Sequence, residues 1–142
     1  MTALEVLKEY WGYDSFRPMQ EEIINAAIDG KDVLALMPTG GGKSICFQIP
    51  ALMRDGLTLV ISPLIALMKD QVRNLQERGV KALAIHAGMS RHDVDLALNN
   101  AAYGDFKLLY VSPERLNTRL FKSYLESDPE NLKENLTENW TP

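Results

Sequence analysis

Five consecutive residues, Gly40-Gly41-Gly42-Lys43-Ser44, restrict what this chain can fold into more than any other feature. They follow Asp32-Val33-Leu34-Ala35-Leu36-Met37, the nearly unbroken apolar run that a strand buried on both faces requires. They precede Ile45-Cys46-Phe47-Gln48-Ile49-Pro50-Ala51-Leu52-Met53, an apolar helical stretch. Strand, glycine-rich loop and helix, in that order, are the context of a phosphate-binding loop. Glycine adopts positive φ and lets the backbone approach an oxyanion closely. The helix N-terminus aims unpaired N–H groups at the same place. On this reading Thr39, Gly40, Gly41 and Gly42 belong to the loop that holds a nucleotide. Lys43 reaches its β- and γ-phosphates, and Ser44 offers a hydroxyl to Mg2+. The general pattern has glycine where this chain has Met37, but the three glycines and Gly-Lys-Ser stand in the right context.

The same alternation continues along the chain. Apolar runs at 57–62, 81–87 and 107–112 read as three more strands, after the one at 32–37. Helical stretches at 43–54, about 65–78 and about 91–102 separate them. Two helices come earlier: 3–10, stopped by Gly12, and 18–28, with Pro18 in its first turn and Asp29-Gly30 as the turn after it. A last helix starts at Pro113. Within the second half, Pro63 starts a helix whose Leu64, Leu67 and Met68 pack on the sheet, while Pro50 kinks or ends the helix that contains it. Ser90 and Ser112 stand where helix N-caps stand. Alternating strands and helices of these lengths predict an α/β fold, a parallel sheet with flanking helices.

Composition adds limits rather than identity. With 46% apolar and 24% charged residues the chain is globular, not disordered. Its 142 residues make one domain or a piece of one. The net charge of -4 lies wholly in residues 126–142, because residues 1–125 carry 14 basic and 14 acidic side chains. That last segment holds apolar residues only at Leu132, Leu136 and Trp140, four apart, which suits a short amphipathic helix or a frayed tail. Cys46 stands alone and reads as core, so no disulfide framework is expected. His86 and His92 flank a turn without a cysteine and do not suggest a metal site. The N-terminus has charges interrupting every apolar run, and no stretch approaches the ~20 apolar residues of a membrane span. The expectation is a soluble, cytoplasmic protein with no membrane partner.

Four segments together carry a closer resemblance. Trp-Gly-Tyr-Asp-Ser-Phe-Arg-Pro-Met-Gln (11–20), Met-Pro-Thr-Gly-Gly-Gly-Lys-Ser (37–44), Ile-Ser-Pro-Leu-Ile-Ala-Leu-Met-Lys-Asp-Gln-Val (61–72) and Tyr-Val-Ser-Pro-Glu-Arg-Leu (110–116) resemble the N-terminal lobe of RecQ-type ATP-dependent DNA helicases. The resemblance runs from about residue 4 to 125 and implies a RecA-like phosphate-loop NTPase lobe, incomplete here, using ATP and Mg2+. It implies that Tyr13 and Arg17 sandwich adenine and that Gln20 reads the base edge through its amide. An aromatic ring and a planar guanidinium both stack well on a π face. Trp11 and Phe16 read as core instead. For DNA, the resemblance implies backbone contacts at Ser62, Lys69, Ser90 and Arg115. As local chemistry, the N-cap role already explains Ser90.

The resemblance also implies components that this sequence lacks. Such enzymes hold Mg2+ and orient the attacking water with acidic residues, expected in an Asp-Glu-Ala-His segment soon after the stretch equivalent to 107–125. No Asp-Glu pair occurs anywhere in these 142 residues, and they are not expected to include the second lobe. The reading is therefore a partial, truncated helicase-like lobe over 1–125 with an acidic polar tail over 126–142. It is expected to bind nucleotide and contact DNA without hydrolysing ATP or unwinding by itself. In the resembled family the full-length protein unwinds 3′-to-5′ in recombination and repair. The alternatives are a regulatory fragment docking on a full-length helicase, self-association through an exposed sheet edge, a non-functional gene remnant, or another helicase family.

Overall fold

The computed structural model describes residues 1–37 and 42–116. They fall into two compact units, Met1–Asp55 and Gly56–Pro142, each described by itself. The segment 126–142, with its alternative helix or tail, lies outside the described residues, as do Thr39, Gly40 and Gly41.

The first unit is helical. Helix α1 (Ala3–Val6) is capped by the Thr2 hydroxyl, which accepts the Glu5 N–H at 3.2 Å. It continues into a π-helical turn, Leu7–Trp11, closed by Gly12 at φ 73°. Helix α2 (Gln20–Ile28) begins two residues later than Pro18 predicts. Met19 takes a left-handed φ of 73° just before it, so Pro18 precedes the helix rather than opening it. At its other end Gly30 donates to Ala27 O and Lys31 to Ala26 O, both at 3.1 Å. This pairing satisfies two terminal carbonyls and requires the positive φ of 80° at Gly30. Helix α3 (Lys43–Met53) runs through Pro50 without ending there. Pro50 removes one ladder hydrogen bond, but it is buried, and the Arg54 guanidinium beyond the helix end donates to Ala27 O at the end of α2. Val6, Leu7, Ile24, Ile45 and Ile49 form the core here, with Trp11 and Phe16 packed against them as expected.

The apolar run 32–37 departs from expectation. It forms no strand, and Leu34 and Leu36 are 87% and 79% exposed. A strand requires a neighbouring ladder for its N–H and C=O groups. Among the described residues 32–37 pairs with none, so hydrophobicity alone does not make it a strand.

The second unit carries the sheet. Strands β1 (Thr58–Ile61), β2 (Ala82–Ile85) and β3 (Leu108–Val111) are parallel, in the order β1-β3-β2. Side chains alternate between faces. Leu59, Ile61, Ile85, Leu109 and Val111 pack with Val94, Ala97, Leu98 and Ala101 of helix α5 (Arg91–Tyr103). On the opposite face Tyr110 donates its hydroxyl to Gln71 Oε1 of helix α4 (Ile65–Glu77) at 2.8 Å. Helices on both faces explain why β1 and β3 are buried at every position. Helix α4 buries Met68, as predicted, with Val72 and Leu75, whereas Leu64 and Leu67 remain 50% and 38% exposed, against the packing predicted for them. A short helix α6 (Pro113–Leu116) follows β3.

Candidate functional site

In the first unit, three of the sequence-predicted residues converge. Gln20 is only 2% exposed. Its Oε1 accepts the Arg17 N–H at 2.8 Å, and its Nε2 donates to Gly42 O at 3.1 Å. Gln20 therefore joins the segment 11–20 to the start of α3, where Lys43 and Ser44 are the first two residues. Its amide has two donors and acceptor capacity for two bonds, so among the described residues one N–H and one lone pair remain after these contacts. Tyr13 is 50% exposed, unlike the core-packed Trp11 and Phe16, and the Arg17 side chain is also exposed.

Gly42 has φ 77°, and a Cβ there would stand 2.3 Å from Gln20 Nε2. Gly30 has nearly the same φ but open space around its Cβ position. Gly42→Ala is therefore expected to cost more than Gly30→Ala, each losing upwards of ~1 kcal/mol through backbone strain. Thermal melting of the two variants checks this, and equal losses would show that Gln20 yields freely.

Met37, standing where the general loop pattern has glycine, has a packing role. Its sulfur accepts from Cys46 Sγ at 3.8 Å. Burial pushes the Cys46 thiol above its ordinary pKa, outweighing a backbone hydrogen bond that lowers it. Cys46 is thus a core residue and not a thiolate nucleophile.

In the second unit, the register aligns the strand ends. Ile61, Val111 and Ile85 are partners across the sheet, and the ladder extends one residue further. Ser62 N–H donates to Val111 O at 3.1 Å and Ser112 N–H to Ile85 O at 3.0 Å. The three loops leaving the carboxyl edge therefore start side by side, the position where ligands collect in open α/β sheets. The Ser62 hydroxyl is buried and accepts the Leu64 N–H at 3.2 Å, forming a local turn. Ser90 caps α5, accepting the Asp93 N–H at 3.1 Å. Lys69 is exposed on α4. Ser112 does not cap as its position predicts: among the described residues its buried hydroxyl has no hydrogen-bond partner. Arg115, read from sequence as a phosphate contact, donates from Nε to His86 O at 3.2 Å and from Nη2 to Met89 O at 3.0 Å. No sequence signal pointed to that tie, since it joins residues 26 and 29 positions apart.

The model of the DEAD/DEAH box helicase family matches residues 17–136. The chain belongs to that family. Among helicase relatives, the ATP-dependent DNA helicase RecQ of Haemophilus influenzae is 55% identical over 120 residues, covering 84% of this chain and 19% of the relative. That of Bacillus subtilis is 47% identical over 125 residues, covering 87% and 21%. The chain thus spans about a fifth of these helicases. A solved structure described as a hypothetical ATP-dependent RNA helicase from Sulfolobus tokodaii shares the fold. Its TM-score is 0.68 at 21% identity, over 89% of this chain and 38% of that one. Among the described residues of this helicase-family chain, no helix is long and apolar enough to cross a membrane.

Proposed function

We propose that this chain is the nucleotide-binding part of a RecQ-type ATP-dependent DNA helicase, with a helicase-like lobe at 1–125 and an acidic polar tail at 126–142. The observation that carries this reading is the Gln20 link between the segment 11–20 and the loop end at Gly42, in a chain so similar to RecQ helicases. The described residues suit ATP and Mg2+. Gly42 has the left-handed backbone of a phosphate loop, and Lys43 is exposed at the first position of α3. Thr39, Gly40, Gly41, Gly42 and Lys43 would hold the phosphates. Ser44 would hold Mg2+, which supplies charge neutralisation when bound. Tyr13 and Arg17 would stack on adenine, and the remaining capacity of the Gln20 amide would read its edge. Ser62, Lys69, Ser90 and Arg115 belong to the DNA side, and 3′-to-5′ unwinding belongs to the longer helicase. A cytoplasmic location goes with this reading.

Without an Asp-Glu pair in the chain, these 142 residues bind nucleotide but do not hydrolyse it. Calorimetry with ATP and Mg2+ is expected to give saturable binding, while phosphate release stays at background with and without single-stranded DNA. Absent binding removes the first statement; DNA-stimulated turnover removes the second. Self-association is the second reading, favoured by exposed Leu34 and Leu36, since apolar backbone that pairs with no strand among the described residues is a template for pairing. Sedimentation showing only monomer at all concentrations would remove it.

A further inference from the structure

We infer that Arg115 is a positioning residue, which latches the turn 86–89 and thereby places Ser90 and the start of α5 instead of contacting phosphate itself. The inference deepens the DNA-side reading above and rests on it for its functional consequence.

The argument begins with the turn. His86 leaves β2, and Met89 N–H returns to His86 O at 3.4 Å, a long and weak closure. Gly88 sits inside the turn at φ 94°, a left-handed conformation that favours glycine, and it contributes no side chain to the turn. His86 Nδ1 lies 2.8 Å from Ala87 O, and His86 N–H points at the Met89 sulfur at 3.4 Å. These local contacts are few and soft for a segment that must set the direction of a 13-residue helix. The guanidinium of Arg115 supplies what they lack. Its Nε and Nη2 hydrogens form one rigid planar edge, and this edge meets the carbonyls at both ends of the turn, His86 O and Met89 O. Charge-assisted bonds of this kind are about twice as strong as neutral ones.

The placement has a direct downstream effect. Ser90 follows the latched Met89, and its hydroxyl and carbonyl accept the Asp93 and Val94 N–H groups at 3.1 and 3.0 Å. Arg115 itself is held on α6, where its N–H donates to Ser112 O at 3.0 Å. The latch therefore ties the loop after β2 to the loop after β3, at the sheet edge where the DNA-side residues stand.

A lysine keeps the charge but cannot span both carbonyls with a planar edge, so Arg115→Lys and Arg115→Ala separate the two roles. Hydrogen exchange of the 142-residue chain is the first measurement. In both variants the Met89 and Asp93 amides are expected to exchange about tenfold faster or more, while amides of β3 stay protected. Unchanged exchange at Met89 and Asp93 in both variants overturns the latch. Binding of a labelled oligo-dT across a salt series is the second. Positioning predicts that both variants weaken binding with an unchanged salt slope. A direct phosphate contact instead predicts that Arg115→Ala lowers the slope by about 0.7, the value for one contact on a single strand, and that Arg115→Lys restores it. That result overturns the inference. If wild type does not bind oligo-dT at all, the DNA-side reading fails, and the exchange result alone upholds or overturns the latch.

Discussion

Replacing Lys43 by alanine is expected to weaken ATP binding by about tenfold or more, with the melting temperature of the chain almost unchanged. Lys43 is the first residue of α3 and its side chain is exposed, so its removal leaves no cavity. Surface changes of this kind usually leave stability nearly unaltered. The affinity effect has a different origin. A phosphate oxygen carries full charge, and a hydrogen bond to a charged group contributes enough that its loss costs about an order of magnitude in affinity. The backbone N–H groups at the helix start remain and retain part of the binding. Titration calorimetry of wild type and Lys43→Ala, paired with thermal melts, checks both halves. Equal affinities would show that the loop does not hold the phosphates through Lys43. A large drop in melting temperature would show that Lys43 acts on the fold instead.

The largest stability effect is expected at Leu109. It lies in β3, the central strand, is 2% exposed, and packs in the cluster that includes Leu59, Val94 and Leu98. Leu109→Ala removes buried methyl groups and leaves a cavity between sheet and helix, at a cost of about 2–5 kcal/mol. Small domains have only about 5–15 kcal/mol of net stability. The melting temperature should therefore fall by roughly 10 °C or more. Leu96→Ala, at an exposed position on α5, is the control and should shift it little. The pair of melts also tests the gene-remnant alternative. A sharp wild-type transition that Leu109→Ala displaces speaks for a cooperative core, and a broad, insensitive one for that alternative.

Most of the second unit was legible because its elements carry local signals that tertiary packing reinforces. The runs 57–62, 81–87 and 107–112 each contain the observed strand, and α5 starts at the residue after its predicted Ser90 cap. The run 32–37 reads the same way in sequence and yet forms no strand. The difference is pairing, since a strand is a relation between two segments and no single segment encodes its partner. Leu64 and Leu67 show the same limit on a helix. Their spacing suits a buried face, but which face meets the sheet is set by Met68, Val72 and Leu75 together. Pro18 departs in the opposite sense, because the left-handed Met19 stands between it and α2, whereas α3 continues past Pro50 instead of ending there.

For the site, the residue types were readable and their connections were not. Gly-Lys-Ser after an apolar run, an exposed tyrosine beside core aromatics, and a serine at a cap position follow from chemistry that acts within a few residues. The Gln20 bond to Gly42 spans 22 positions, and the Arg115 bonds to His86 and Met89 span 29 and 26. The sequence by itself determined the strand–helix alternation of the second unit, the helix start at Lys43-Ser44 and the family to which the chain belongs. Only the tertiary structure decided that 32–37 pairs with no strand among the described residues, that Gln20 clamps the loop end, and that Arg115 holds a turn. Each of these depends on a partner brought close by the fold, and hydrogen bonds act over a few ångströms of space regardless of separation along the chain.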